Sequence, residues 1–339
     1  GEAALAYGYD FLNKEAFALG EELVEIAAKN FLEINDIERS GDAFYALAEV
    51  SARQEQWEDA FRQVVLASKS FQESKTEQKL INAIMKIAEI AAQSLISEQE
   101  TKRAFAMDCF EEAIKIAQDN NLEAIETEVY LAQARTFTGI KDYESALALF
   151  QQITAFYEDL KEEEKSAFLA DELSTIANSL LNEGAIDIGT SLIDLSTAIY
   201  MRLNQPINAS EVYLKGCNTL LKLDKIQEGV KLALLASDIL MMADELGGAI
   251  NFLGDIAELL FQMNDYKNAV MCVGQIVTIY QKKENVAEQK KAIFKLVTKA
   301  KEVIQEGKIK DGEEVWEAAA NFSLAIDIDF ALELSLIHI

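Results

Sequence analysis

The sequence has one proline, one histidine, three cysteines and far fewer basic than acidic residues. A single proline in 339 residues leaves long stretches in which nothing interrupts a helix. Lys and Arg number 31 against 58 Asp and Glu, which gives a net charge of −27. Binding to a phosphate backbone depends on clustered Lys and Arg, so this balance argues against a nucleic-acid partner.

Histidine is almost absent, and this bears on catalysis. The one histidine, His338, lies in the last residues of the chain. Without histidine, the rest of the chain cannot build a Ser-His-Asp or Cys-His nucleophile system, or the common His-containing zinc sites. No glycine-rich phosphate loop is present either. The expectation is therefore a protein that is not an enzyme, with no catalytic residues, no metal site and no cofactor.

The cysteines and the apolar runs bear on localisation. Cys109, Cys217 and Cys272 are far apart and each lies in an apolar helical pattern, which is typical of buried, reduced thiols. No uninterrupted apolar run approaches the roughly 18 residues that a bilayer requires. We expect a cytoplasmic protein that is not inserted in a membrane. Because the chain begins at Gly1 rather than Met, a signal peptide stays an open question.

One stretch, residues 129–150, shows how the rest of the chain is organised. Its sequence, VYLAQARTFTGIKDYESALALF, has two apolar helical stripes on either side of a Gly139–Asp142 turn. Ala134 and Ala146 stand at positions i and i+12, one on each side of the turn. Small residues on facing helices allow close antiparallel packing while large neighbours fill the flanks. The stretch therefore predicts a helical hairpin.

The same i, i+12 pair of small residues recurs along the chain. The pairs are Ala4–Ala16, Ala48–Ala60, Ser94–Ala106, Ala134–Ala146, Ala177–Gly189, Cys217–Gly229, Ala257–Ala269 and Ala300–Gly312. The spacing inside each hairpin is constant, whereas the interval from one hairpin to the next varies along the chain. Packing within a hairpin explains the constant part, because only that contact needs a fixed register.

Small-then-aromatic helix pairs in this register resemble the tetratricopeptide repeat (TPR) family. Tyr130, Ala134, Phe137, Ala146 and Phe150 carry the resemblance, which recurs at Phe44, Leu47, Ala48, Ala60 and Ala67. The family's usual period is about 34 residues, whereas this array averages about 42, so the resemblance is to a long-period variant. The proline that often closes the family's second helix is missing. The resemblance implies a scaffold that binds partners on a concave surface lined by the first helix of each hairpin.

The predicted fold is all-α, a right-handed α-solenoid of about eight antiparallel helix hairpins forming a TPR-like superhelix. We expect residues 1–333 to form a single array that is truncated at both ends, with apolar faces exposed on its first and last helices. Residues 334–339, LSLIHI, resemble a translation of the transposase end sequence used in preparing sequencing libraries. We interpret them as a non-native tail.

Two repeat positions on the first helices are expected to face the groove. In three successive hairpins, the residue directly after the first member of the small-residue pair is Arg135, Asn178 or Asn218. The residue six places before that first member is Glu128, Asp171 or Glu211. The asparagines offer a donor and an acceptor to a peptide backbone, and the acids would attract basic side chains. The candidate partner-binding groove is thus Glu128, Arg135, Asp171, Asn178, Glu211 and Asn218.

Each of these assignments has a structural alternative. Carboxylates near a helix N-terminus stabilise the helix dipole whether or not a ligand binds. An asparagine on a helix can also hydrogen-bond a neighbouring helix.

Three functions stay open. The first is an interaction scaffold that holds an extended or helical segment of another protein in its groove, and an extended segment that carries Lys or Arg is the form we expect. The second is the recognition or sensor arm of a larger signalling enzyme whose catalytic part lies outside this sequence. A third, by analogy alone, is an adaptor like the attachment proteins of vesicle fusion. The sequence leaves the partner's identity and the oligomeric state open.

Overall fold

A computed structural model gives the structure of the protein for residues 1–14, 16–97, 101–159, 161–326 and 330. These residues form sixteen α-helices and no strand. The chain divides into two compact units, residues 1–160 and 161–339, and each is described by itself. The prediction of an all-α chain of eight antiparallel helix hairpins is confirmed. The proposed non-native tail, residues 334–339, lies outside the described residues.

The first unit holds four hairpins. Its helices are α1 (Glu2–Asn13), α2 (Phe17–Glu33), α3 (Ile37–Arg53), α4 (Trp57–Ser74), α5 (Glu77–Ser97), α6 (Arg103–Asp119), α7 (Glu123–Gly139) and α8 (Tyr143–Asp159). The second unit also holds four. Its helices are α9 (Glu163–Asn182), α10 (Ile186–Arg202), α11 (Pro206–Lys222), α12 (Ile226–Met242), α13 (Leu246–Gln262), α14 (Tyr266–Lys282), α15 (Val286–Gln305) and α16 (Ile309–Leu324).

The small-residue pairs hold seven of the hairpins together as the sequence predicts. Both members of every pair from Ala48–Ala60 onward are buried. A Cβ placed on Gly189 would lie 3.1 Å from the backbone oxygen of Ala177, and one on Gly312 would lie 2.9 Å from that of Ala300. The two backbones therefore approach so closely that a side chain at the second position would have to displace its neighbour.

The first hairpin does not use the pair that the sequence pattern selected. Ala16 lies just before α2 as its N-cap residue, outside the helix contact. The close pair is Gly8–Gly20, since a Cβ on Gly8 would lie 3.2 Å from the backbone oxygen of Gly20. Gly20 is the fourth residue of α2, which is also the place of the small residue in the second helix of the other hairpins. The small-residue pair of the first hairpin therefore lies one helical turn later than the sequence pattern indicated.

The turns are more uniform than the sequence suggested, because the link between hairpins resembles the turn within one. From α11 to α15 the helices begin at a constant interval, at positions 206, 226, 246, 266 and 286. The longer intervals elsewhere come instead from longer first helices, such as α5 with 21 residues and α9 and α15 with 20 each.

A Schellman-type turn ends most helices. After α7, the Asp142 N–H donates to the Phe137 carbonyl at 2.8 Å and the Lys141 N–H donates to the Thr138 carbonyl at 3.1 Å. Lys141 has a φ of 65°, in the left-handed region. Left-handed residues at the turns are Asn35, Glu55, Lys75, Asn121, Lys141, Lys161, Gly184, Asn204, Asp224, Asp244, Asn264, Glu284 and Gly307.

Glycine relieves the strain of this turn position, which gives a testable difference. Glu284 has a φ of 53° in the α14–α15 turn, whereas the turn before α10 has Gly184 with a φ of 87°. We expect Glu284→Gly to raise the free energy of unfolding by about 0.5–1 kcal/mol and Gly184→Ala to lower it by a similar amount. Urea unfolding followed by circular dichroism measures both changes. Equal destabilisation by both substitutions would contradict this account of the turns.

Apolar side chains are exposed on the first hairpin, as expected for a terminal helix pair. Tyr7 on α1 and Leu19 on α2 are 63% and 54% exposed, and Ile26 and Leu32 on α2 are also exposed. At the other end, Leu324 on α16 is exposed, but most residues after it lie outside the described part of the chain. Exposed apolar residues also occur far from the ends, for example Phe168 and Met242, so the expectation of apolar terminal faces stays a prediction.

One described helix, α5, is long and apolar enough by length and composition to cross a membrane. Half of its apolar window is buried inside the fold, where its neighbours in the first unit are α4, α6 and α7. A core helix of a helical array passes the same test, so α5 is weak evidence for a membrane span.

Candidate partner-binding site

A recess of about 1230 Å³ opens between α13 and α15 in the second unit. Its walls are the first helices of the last two hairpins, and side chains of α14 form part of its lining. Along α13 the lining includes Ile250, Asn251, Gly254, Asp255, Glu258 and Phe261, and along α15 it includes Lys291, Phe294, Lys295, Thr298 and Lys299. The spacing of three or four positions shows that one stripe of each helix faces the recess.

Two of these residues occupy the repeat positions from which the groove was predicted. Asn251 lies one hairpin after Glu211 and two hairpins after Asp171. Glu258 follows Asn218 and Asn178 in the same way. The residue numbers rise by a constant step in both series, so these positions occupy equivalent faces of successive first helices. The predicted residues of α9 and α11 are thus the repeat equivalents of residues that line the recess.

Asn178 takes part in a contact between helices. Its side-chain nitrogen donates to the Ser174 carbonyl at 2.7 Å, and its side-chain oxygen accepts from the Thr219 hydroxyl of α11 at 3.0 Å. The side chain is half-buried. Asn178 therefore shows the helix-to-helix hydrogen bond that was the structural alternative for it. Asn218, next to Thr219, is exposed.

Asp171 and Glu211 both affect the pKa of one buried tyrosine, Tyr200. The Tyr200 hydroxyl of α10 donates to Asp171 Oδ1 at 2.6 Å. Burial raises the pKa of Tyr200 well above its usual value, and the negative charges of Asp171 and Glu211 raise it further. Asp171 and Glu211 themselves are exposed. Two carboxylates from neighbouring first helices therefore carry negative charge on the same side of the second unit.

The two other predicted residues lie in the first unit, on α7. Glu128 is half-buried and Arg135 is exposed, and both face away from the buried side of the helix that holds Ala134. Asp171 and Glu211 thus both lie close enough to Tyr200 to affect its pKa, and Asn178 bonds Thr219, which follows Asn218 in the sequence. Glu128 and Arg135 belong to the first unit.

Charge in the recess is arranged by helix. Asp255 and Glu258 line it from α13, while α15 contributes Lys291, Lys295 and Lys299 together with one acid, Glu288. Lys299 Nζ lies 3.5 Å from Glu258 and 5.9 Å from the centre of the Phe261 ring, so it links the two walls near one end. The Lys299 and Glu258 side chains are both partly exposed, so their ion pair holds the walls together only weakly.

The repeat pattern in the sequence does not indicate the recess itself. Asn251, Glu258 and Phe294 occupy the same repeat positions as the predicted groove residues, but the repeat pattern alone does not distinguish them, and it gives no indication of Gly254 or Lys295. One signal was available, because α15 has five lysines and only two glutamates in an acidic chain.

The three thiols do not suggest chemistry. Cys109, Cys217 and Cys272 are buried and unpaired. Burial raises the pKa of Cys217 to about 12 and that of Cys272 to about 12, so almost none of either thiol ionises near neutral pH. Among the residues that the structure describes, no three His, Cys, Asp or Glu side chains gather as metal ligands would.

The solved structures compared below share little sequence with this chain. No protein-family model matches the sequence, and no curated protein matches it. A circular tandem repeat protein with novel repeat topology is similar at 10% identity and a TM-score of 0.43, covering 99% of this chain and 95% of that one.

Two Rap structures are also similar. The apo form of RapI has 14% identity and a TM-score of 0.39, covering 84% of this chain and 98% of that chain. A Rap protein complexed with competence and sporulation factor has 16% identity and a TM-score of 0.33, covering 84% of this chain and 75% of that chain. All three TM-scores are below 0.5, so these likenesses say nothing about the function of this chain.

Proposed function

We propose that the protein is a non-enzymatic interaction scaffold that holds a segment of a partner protein against the first helices of its second unit. The recess between α13 and α15 is the observation that supports this, because it is lined by the repeat positions of Asn251 and Glu258. The same positions on α9 and α11 carry exposed Asp171, Glu211 and Asn218. A row of exposed polar groups on successive helices fits an extended chain better than a compact small molecule.

The α9–α11 part of this surface suits a basic segment. Asp171 accepts a hydrogen bond from Tyr200, and the charge of Glu211 also raises the pKa of Tyr200. Both carboxylates are exposed, and the whole chain has a net charge of −27. Carboxylates placed this way attract Lys or Arg side chains and disfavour acidic sequences. Exposed Asn218 supplies a donor and an acceptor for the partner's backbone. Asn178 contributes by holding α9 to α11 through Thr219.

The remaining expectations belong to the same proposal. Three unpaired, buried thiols suit a reducing compartment, which supports a cytoplasmic location. First helices that begin at positions 206, 246 and 286 give a period longer than the usual one, which supports a long-period variant of the TPR family. The same surface would serve the chain if it were the sensor arm of a larger signalling protein.

Neutralising the two acids tests the polarity of the surface. Peptides selected from a random display library on the intact chain serve as probes, with binding followed by stopped-flow fluorescence at two salt concentrations. The double variant Asp171→Asn, Glu211→Gln keeps an acceptor for Tyr200 and removes two charges. We expect the association rate of basic peptides to fall about threefold to tenfold at low salt, and its salt dependence to flatten.

A matched control separates local from overall charge. Asp187→Asn with Glu228→Gln makes the same charge change at exposed positions of α10 and α12, which are second helices. These changes should leave the association rate within about twofold of that of the original chain, because salt screens the attraction between a peptide and exposed charges away from the docking surface. If the control pair slows association as much as the test pair, α9 and α11 are not the docking surface.

A further inference from the structure

Positive charge is concentrated around α15. Residues 282–310 contain nine lysines and four glutamates, in a chain whose net charge is −27. Five of these lysines lie within α15 itself. The net charge is therefore positive in this helix and the residues next to it, although the chain as a whole is negative. Three of the lysines, Lys291, Lys295 and Lys299, line the recess.

The three lysines of the recess differ in their partners. Lys291 Nζ lies 2.5 Å from Glu288, and Lys299 Nζ lies 3.1 Å from Glu302 and 3.5 Å from Glu258. Lys295 is exposed and has no hydrogen bond or ion pair among the described residues. Lys295 is therefore a positive charge in the recess that is available to a ligand without the loss of an ion pair to a described residue.

The recess also has apolar space beside that charge. Phe294, the neighbour of Lys295, is 52% exposed, and Phe261 lines the recess from α13. A Cβ placed on Gly254 would meet no atom within 4 Å. The equivalent position one repeat earlier is Leu214, so the space that a leucine side chain fills there is open here.

We propose that the α13–α15 recess binds an acidic segment of a partner protein, with an Asp or Glu side chain on Lys295 and an adjacent large apolar side chain over Gly254. This inference rests on the proposed scaffold function and adds a second recognition element of opposite sign to the acidic α9–α11 surface. Exposed Phe294 packs against the apolar side chain, and exposed Asn251 on the opposite wall hydrogen-bonds the backbone of the segment.

Dimensions and charge favour a peptide as the occupant. From Ile250 to Phe261 the α13 wall is about 16 Å long at roughly 1.5 Å per residue. An extended peptide of about five residues spans that length. Nucleic acid is disfavoured because a polyanion would meet the acidic remainder of the chain. A peptide with few carboxylates can bind to the lysines of α15 without meeting the acidic residues elsewhere in the chain.

Labelled peptide mixtures test the proposal on the intact chain. Three mixtures of end-capped decapeptides, randomised around a central Leu or Phe, carry Glu, Gln or Lys at the two positions flanking it. Fluorescence anisotropy gives the affinity of each mixture. We expect the Glu mixture to bind, and Gly254→Leu, which fills the open space, to weaken its binding at least tenfold. Lys295→Glu should weaken it by a similar factor.

Each variant has a matched control. Gly247→Leu makes the same change on α13, where an added Cβ also meets nothing within 4 Å but the residue lies outside the recess lining. Lys231→Glu makes the same charge change on an exposed position of α12. Both controls should bind the Glu mixture within about twofold of the original chain.

The outcomes separate this inference from the broader proposal. Binding of the Glu mixture that is lost in Gly254→Leu supports the recess, even if the Lys mixture does not bind and the basic-segment proposal fails. Binding of the Lys mixture alone, lost in the Asp171→Asn, Glu211→Gln variant, overturns the recess and leaves the α9–α11 proposal standing. If no mixture binds, or if the controls weaken binding as much as the test variants, the recess assignment is wrong.

Discussion

Phe150→Ala is expected to lower the free energy of unfolding by about 3–5 kcal/mol. Phe150 lies on α8, one helical turn after Ala146, and its side chain is fully buried. Removing the ring takes apolar surface out of the core and leaves a cavity that the neighbouring helices fill only in part. Phe110 occupies the equivalent place on α6 and is also fully buried.

Phe168→Ala is the control for that change. Phe168 on α9 is 63% exposed, so the same truncation there should change the free energy of unfolding by less than about 0.5 kcal/mol. Urea unfolding monitored by circular dichroism measures both variants. If Phe150→Ala costs no more than Phe168→Ala, Phe150 does not occupy the hairpin core in the protein.

Ala177→Leu tests the close approach of two helices. Ala177 is fully buried on α9, and the missing Cβ of Gly189 on α10 would lie 3.1 Å from its backbone oxygen. A leucine at 177 has no space, so we expect it to force the hairpin apart and cost about 1–3 kcal/mol. Thermal and urea unfolding of the variant measure that cost.

The matched change is Ala287→Leu on α15, where the alanine is exposed. Leucine and alanine are both good helix formers, so this change should stay within about 0.5 kcal/mol. A leucine at 177 that stabilises the chain would show that α9 and α10 leave room at this contact, contrary to the account of the small-residue pairs.

The helix pairing was predictable because it depends on residues close in sequence. Ala134 and Ala146 lie on facing helices on either side of one turn. Their i, i+12 spacing is fixed by where α7 ends, where α8 begins and the short link between them. The same rule selected Ala4–Ala16 over Gly8–Gly20, since both pairs satisfy the spacing. The position of Ala16 at the N-cap of α2 and the close approach of Gly8 to Gly20 distinguish them. The ends of helices are the least certain part of a sequence-based prediction.

The turns were only partly predictable for a different reason. Gly184 and Gly307 mark two turns by residue type, but Glu55 and Glu284 adopt the same left-handed conformation. Glutamate has no preference for that conformation, so its place is set by the hydrogen bonds that close the helix end. Sequence composition alone cannot show this.

The site depends on contacts between hairpins, which the repeat pattern does not specify. Asn178 bonds Thr219 of the next hairpin, and this converts an expected ligand group into a link between α9 and α11. Gly254 and Lys295 likewise belong to different hairpins and define the recess only together. Equivalent positions could be predicted from the period, whereas the gap between neighbouring first helices could not.

Photo-crosslinking of a bound peptide tests the central claim most directly. A library-selected peptide carrying a diazirine at its central residue is bound to the intact chain and irradiated, and the crosslinked residues are identified by mass spectrometry. Binding against the first helices of the second unit predicts crosslinks in α9, α11, α13 and α15, with those in α13 and α15 surrounding Gly254 and Lys295. Crosslinks that fall mainly in α10, α12, α14 and α16 would contradict it.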